Sequence, residues 1–332
     1  MTHEERVKRV VGFGFTHRQA AFLVEVMLHS GFFLGRQYCT FARIARGQKL
    51  VDFLEKLTTR RLATPYLCGH NKARVYHLHS TTLYDAIEQR DVRFRKRMAI
   101  GRALERLMIL DHVITHREFR WLGSEQDKVA HFLTTTPLDR DALPRLAFGV
   151  KPNITVRYFP DKLPIGISPD GRTHAFLYLL VSPLPHDFRV FLRRHAELLR
   201  ALPAWSIQLL VPVEQTDSEG RARDLADHYE TAFRHELGSP LDPVTATELR
   251  WFWEASTLAS ASEEKRMRRA RRIFGTPRFR ALRRALELDG ERAVDVAMSR
   301  SLADAIERRE GRFERHEMRR QYFRLSHLVG TA

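Results

Sequence analysis

Between residues 16 and 78 the spacing of apolar side chains changes from a helical period to an alternating one, and this constrains the fold more than any other feature. Thr16-His-Arg-Gln19 has the S/T-x-x-E/Q form of a capping box, followed at helical spacing by Ala20, Leu23, Val24, Met27 and Leu28. This predicts a helix over 17–29, stopped by Ser30-Gly31. Tyr38, Phe41 and Ile44 recur at three-residue steps, a short second helix over 36–44 ending in Ala45-Arg46-Gly47. Leu50, Val51, Phe53, Leu54 and Leu57 form the stripe of a third helix over 48–61. Two strand-like stretches, 63–68 and 73–78, are joined by Gly69-His70-Asn71-Lys72, where Gly and Asn tolerate the positive φ of a tight turn.

Three short helices and a hairpin with a polar tip is the order of a winged helix-turn-helix. There the second helix of the pair lies in the major groove and its first residues reach base edges. Gln48 and Lys49 hold that position, with chemistry suited to adenine and guanine respectively. Arg46, Lys56, Arg60 and Arg61 are placed for phosphates, and Lys72 and Arg74 would put charge beside a groove. The rival for the same pattern is a protein-binding adaptor whose basic residues only solvate its surface.

Charge supports the first alternative. The chain has 332 residues, 43% apolar, with a formal net charge of +16 and a pI near 10.4. Its length suits two domains with helical extensions, and its charge suits a polyanionic partner, of which nucleic acid is the commonest. An anionic membrane surface fits less well, because Lys and Arg recur along many segments rather than beside one apolar face. Cys39 and Cys68 are too few and too far apart for a zinc site or a disulfide framework, so reduced thiols and a cytoplasmic location are expected. The first residues carry acids with no apolar run behind them, unlike a signal peptide, and no stretch approaches a membrane span of about 20 apolar residues.

A short helix over 81–88 leads through the basic residues 91–97 into a long helix ending near His116, whose many apolar positions predict burial on more than one side and a connecting or dimerising role. Beyond Pro137 strands are expected over 154–159 and 162–167, a turn at Ser168-Pro-Asp-Gly171, an apolar strand over 174–182, a helix over 188–202 and a second apolar strand over 205–213. Hairpin, helix, strand is the order of the PD-(D/E)xK nuclease core, with Pro160-Asp161 where that family keeps its first metal-binding aspartate. Such a site needs further carboxylates and a Lys beside the attacking water. Phe176-Leu-Tyr-Leu-Leu180 supplies neither, so Asp161 is expected in a turn or cap on a scaffold without the chemistry, and Asp170 alone cannot replace the missing ligands. His77-Leu-His79 with Tyr84 has the form used by nicking initiators, but it closes the expected wing, and a structural role is the better expectation.

Helices are expected over 222–237 and 245–261, with Trp251, Phe252 and Trp253 anchoring this tail to the domain before it. Residues 265–284 are dense in Arg, and Arg268, Arg269 and Arg272 are candidates for a second phosphate-binding surface. A last helix over 299–328 mixes Glu with Arg.

The Thr-His-Arg-Gln19 start, the 50–62 helix, Arg74-Val-Tyr-His-Leu78 with its following helix, and the Pro160-Asp161 hairpin together resemble the replication-relaxation family, proteins associated with plasmids and integrative elements. The resemblance covers roughly the first two-thirds of the chain. It implies a winged-helix DNA binder joined to a restriction-nuclease-like domain. The expected fold is α+β: a winged helix over 1–80, a helical connector over 81–136, a degenerate nuclease-like α/β domain over 137–215 and a basic helical extension over 216–332. The expected function is non-enzymatic binding of double-stranded DNA, as a homodimer without cofactor or metal, in replication, transfer or transcriptional control of a mobile element. A metal-dependent nuclease or nicking initiator is the alternative, and the protein-binding adaptor the other.

Overall fold

Thr2 and Thr16 start the first two helices, α1 (His3–Val11) and α2 (His17–His29), by the same device. Each hydroxyl accepts the N–H three residues on, while the Glu5 or Gln19 side chain accepts the threonine N–H, so helix-end donors that water would otherwise satisfy are paired. The computed structural model describes residues 1–68, 73–149, 153–212, 221–257, 264–318, 320 and 322. Its fold is mixed α+β.

After α2 the chain turns at Gly31 into β1 (Phe32–Leu34). Gly31 has φ +77°, and a Cβ there would lie 2.3 Å from the Phe94 carbonyl oxygen, so both the conformation and the space demand glycine. Next come α3 (Gly35–Ala42), α4 (Gln48–Thr59), β2 (Ala63–Leu67) and β3 (Arg74–Leu78). The three strands pair antiparallel in the order β1-β3-β2, with Tyr76 of β3 opposite both Phe33 and Pro65. Pro65 sits on the outer strand, where a missing donor breaks no interior ladder. The helices close over a ring cluster centred on Phe22, which meets Phe33, Tyr38, Phe41 and Phe53 at centroid distances of 5.4, 5.3, 5.5 and 6.2 Å.

α5 (Thr81–Ala86) and α6 (Ile100–Thr115) follow. Leu110 and Ile114 of α6 belong to the core of the first helices, while Leu107, Ile109 and Val113 belong to a second core under the large sheet. The expected burial on more than one side is thus observed. β4 (Arg120–Leu122) and α7 (Glu125–Thr135) come next, then β5 (Arg145–Phe148), β6 (Thr155–Tyr158), β7 (Ile165–Ile167), β8 (Thr173–Leu179), α8 (His186–Arg200) and β9 (Ala204–Val211). The remainder is α9 (Arg221–Leu237), α10 (Pro243–Thr257), α11 (Glu264–Phe274), α12 (Pro277–Asp289), α13 (Glu291–Met298), α14 (Ser301–Glu307) and β10 (Gly311–Glu317).

A five-stranded sheet in the order β10-β9-β8-β7-β4 forms the centre. β7 and β8 are an antiparallel hairpin, and β8 and β9 run parallel on either side of the α8 crossover. Hairpin, helix, strand therefore holds, but three expectations around it do not. The strand expected over 154–159 does not pair with the next one: β6 pairs with β5 in a separate ribbon, because Phe159 and Lys162 adopt left-handed backbone conformations and turn the chain away before β7. The helix expected over 299–328 ends at Glu307, and β10 then joins the sheet parallel to β9, Gly311 lying against the Trp205 ring where a Cβ would have 2.4 Å. Trp251 and Phe252 pack in a core that the tail builds for itself, with Leu249, Phe274 and Leu282, and do not anchor it to the central sheet. Among the described residues no helix is long and apolar enough to cross a membrane.

Candidate nucleic-acid interface

α4 presents its amino end to solvent because its apolar stripe is fixed by Phe53 and Leu57, both fully buried, on the opposite side. Gln48 and Lys49 are exposed, preceded by exposed Arg46 in the loop after α3. Gln48 Nε2 donates to Asp52 Oδ1 at 2.6 Å, a bond within the helix that it must give up to pair with a base. Arg61, at the turn after α4, and Arg74, at the start of β3, are also exposed. Arg46, Lys49, Arg61 and Arg74 make no ion pair among the described residues, so none of the four is already neutralised. Lys72, expected at the hairpin tip, lies outside the described residues.

Lys56 and Arg60 occupy a different position from the one expected. Lys56 Nζ donates to the Gly14 carbonyl, and Arg60 Nη1 donates to the Phe13 carbonyl at 2.6 Å. Both cations lie over the Phe15 ring, at 5.2 and 5.7 Å from its centroid. They pin α4 to the turn between α1 and α2. Their charge still adds to the local field, but their geometry serves the fold.

On α11, Ala270 and Phe274 face the tail core and Arg268, Arg269 and Arg272 are exposed. Arg268 stands 3.8 Å from Glu264, while Arg269 and Arg272 have no ion pair among the described residues. Arg266 is held differently, on both Glu248 oxygens and 3.7 Å over the Trp251 ring.

The groove beside Asp161 has a volume of about 640 Å³ and is walled by α6, α8, the end of β8 and Arg284 of α12. Here Arg194 Nη1 donates to both Asp161 oxygens at 2.9 Å. Asp161 lies in the turn expected for it, which the Lys162 N–H closes on the Phe159 carbonyl at 3.0 Å, and its carboxylate is in addition held by an ion pair. Lys128 is wholly buried below, its Nζ donating to the Leu163 carbonyl at 2.8 Å, and burial, reinforced by Arg106, pushes its ammonium down to about 7. Burial also lowers Arg106, to about 10. Asp170 accepts from the Ser168 hydroxyl and the Arg172 N–H and shapes the β7–β8 turn.

His77 is buried and stacked on Phe32, centroids 4.3 Å apart, with its Nε2 at 3.1 Å from the Phe94 carbonyl oxygen. Burial depresses it to about 4. His79 Nε2 is 2.9 Å from the Thr64 hydroxyl. Tyr84, the nucleophile such a pair would need, is fully buried.

One cluster escaped sequence inspection. His112 on α6, His116 at its carboxyl cap and His316 on β10 each offer a ligand atom, and these atoms lie within 4.8 Å of one another. The signal was the four-residue spacing of the first two across the end of one helix; the third is remote in sequence and became a neighbour through β10. Burial, followed by the two neighbouring imidazoles, depresses His112 to about 3. No protein-family model, curated relative or solved structure matches this chain.

Proposed function

We propose that the chain is a non-enzymatic protein that binds double-stranded DNA, with residues 1–80 as a winged helix-turn-helix. The observation that carries this is the exposed amino end of α4, where Gln48 and Lys49 follow Arg46, with Arg61 exposed after the other end of the helix and Arg74 exposed at the start of β3; none of these three arginines has an ion pair among the described residues. A helix end of that composition supplies donors for base edges and cations for the flanking phosphates. The hairpin β2–β3 is then the wing, Arg268, Arg269 and Arg272 a second phosphate grip, and residues 137–215 a nuclease-like scaffold in which Arg194 occupies the charge of Asp161. The resemblance stated above adds the setting, replication, transfer or transcriptional control of a mobile element; the cytoplasmic location rests on the two free cysteines, and the homodimer is a further part of this proposal.

Selection of bound fragments from random duplexes, followed by fluorescence anisotropy on the recovered site, tests this directly. Gln48→Ala with Lys49→Ala is expected to flatten the preference for that site over random duplex. Arg61→Ala with Arg74→Ala is expected to weaken binding to both. Unchanged isotherms for both pairs would exclude this surface as the DNA reader and leave the protein-binding adaptor.

A further inference from the structure

The hydrogen bonds around His112, His116 and His316 fix which imidazole nitrogens keep a lone pair. Gln208 Nε2 donates to Glu314 Oε2 at 3.0 Å, so its Oε1 is the atom that faces His112 Nε2, at 3.2 Å. An amide oxygen only accepts, so His112 carries its proton on Nε2 and its lone pair on Nδ1. His116 Nδ1 lies 2.9 Å from the His112 carbonyl oxygen, another pure acceptor, which leaves the lone pair of His116 on Nε2. His316 Nε2 is buried without a hydrogen-bond partner, 3.6 Å from the Glu314 carboxylate and beyond bonding reach. The three rings crowd together, His112 and His116 stacked with centroids 3.9 Å apart and His316 perpendicular to both at 5.1 and 5.6 Å.

Three imidazoles with ligand atoms this close, one of them with a buried nitrogen that makes no hydrogen bond, have the chemistry of a site for a nitrogen-seeking divalent cation. We propose that His112, His116 and His316 bind one Zn²⁺ ion, with water in the fourth position and Glu314, through Gln208, holding His112 in its ligating tautomer. The second-shell chain of carboxylate, amide and imidazole is the kind that orients metal ligands. One ligand comes from α6, one from its carboxyl cap and one from β10, so the ion would tie the end of the helix that joins the two cores to the strand at the edge of the central sheet. Mg²⁺ is excluded by preference, since it seeks oxygen ligands in an octahedron.

The full chain, stripped by a chelator and exchanged into metal-free buffer, is titrated calorimetrically with ZnCl₂ and, separately, with CoCl₂ followed by visible absorption. One site per chain, the strong visible bands of four-coordinate Co²⁺, displacement of Co²⁺ by Zn²⁺, and no heat with MgCl₂ are the expected results. His116→Gln and His316→Gln, both at half-buried positions, are each expected to abolish the Co²⁺ bands while leaving the far-ultraviolet circular dichroism of the apo protein unchanged. Absence of saturable Zn²⁺ binding by the unaltered chain overturns the proposal, whatever the variants do. So does undiminished binding by a folded His116→Gln or His316→Gln, which would place the ion on other histidines.

Discussion

If Arg46, Arg61 and Arg74 neutralise phosphates and Lys49, reaching a base edge, displaces one counterion as they do, the salt dependence of DNA binding is set by the number of these four cations. Each neutralised phosphate contributes about −0.9 to the slope of log K against log salt, so the four together give about −3.6. Over a fourfold rise in salt, such as about 50 to 200 mM, affinity then falls by roughly 150-fold. Arg61→Ala with Arg74→Ala removes two contacts, which brings the slope to about −1.8 and the loss to roughly 12-fold. These two side chains are exposed and make no ion pair among the described residues, so their removal leaves no buried partner behind and the fold should be unaffected. The assay is fluorescence anisotropy on one duplex at a series of salt concentrations. A slope unchanged by the double substitution would refute the assignment of these cations. A wild-type slope near −6 that falls by about 2.7 in a variant with Arg268, Arg269 and Arg272 all changed to Ala would instead show α11 gripping the same DNA molecule.

Three further outcomes are expected. Lys128 has a folded-state pKa of about 7, below that of an unfolded lysine, so the unfolded chain binds the extra proton and stability must rise with pH. The rise between about pH 7 and 8 is about 1 kcal/mol by urea denaturation, and a Lys128→Met chain that keeps the same slope would disprove the cause. Glu236 is fully buried between Arg189, at 2.6 Å, and Arg193, at 2.5 Å; Glu236→Ala strands two guanidinium groups and should cost about 3–5 kcal/mol in thermal or urea unfolding, with a loss below about 1 meaning that water relieves them. Supercoiled plasmid incubated with the protein and Mg²⁺ or Mn²⁺ should remain intact on agarose gels, and nicking that vanishes in Asp161→Ala would replace the binding function by a nuclease.

What the sequence disclosed followed from periodicity. The helices at 17–29, 36–44 and 48–61 and the strands of the first hairpin were legible because one face of each is apolar and the other is not. β1 escaped because Phe32–Leu34 is buried at all three positions and so short that no alternation develops. β10 escaped for the opposite reason: Arg312, Glu314, Arg315 and Glu317 read as a charged helix, and the ladder with β9, the Gln208–Glu314 bond and the pairing of Arg315 with Asp227 and Glu230, all remote in sequence, make a strand of those residues satisfactory. Lys56 and Arg60 show the same limit for the candidate site. Their carbonyl partners, in residues 13–14, lie far from them in sequence, so nothing local distinguishes a cation that braces a helix from one that is free for phosphate.

Beside the bidentate Arg6–Asp127 pair from α1 to α7, a second set of contacts joins the first helices to the rest of the chain through the end of α6. Asp111 accepts a bidentate pair from Arg36 of α3 at 2.8 and 2.7 Å, and the Tyr322 hydroxyl, from beyond β10, donates to the same carboxylate. One residue on, His112 meets Gln208 of β9, and one turn on, His116 lies against His316 of β10. α3 is the helix that precedes α4 across the turn at Arg43, so its contact with Asp111 is two elements from Gln48 and Lys49. A surface loop offers no such fixed path, since exposed connections rearrange cheaply, whereas a buried carboxylate shared by Arg36 and Tyr322 cannot lose one partner without leaving charge unsatisfied. The central sheet therefore has a use that does not depend on any metal at Asp161. By closing β10 against β9, it brings Tyr322 back onto Asp111 of α6, the same carboxylate that holds Arg36 of α3.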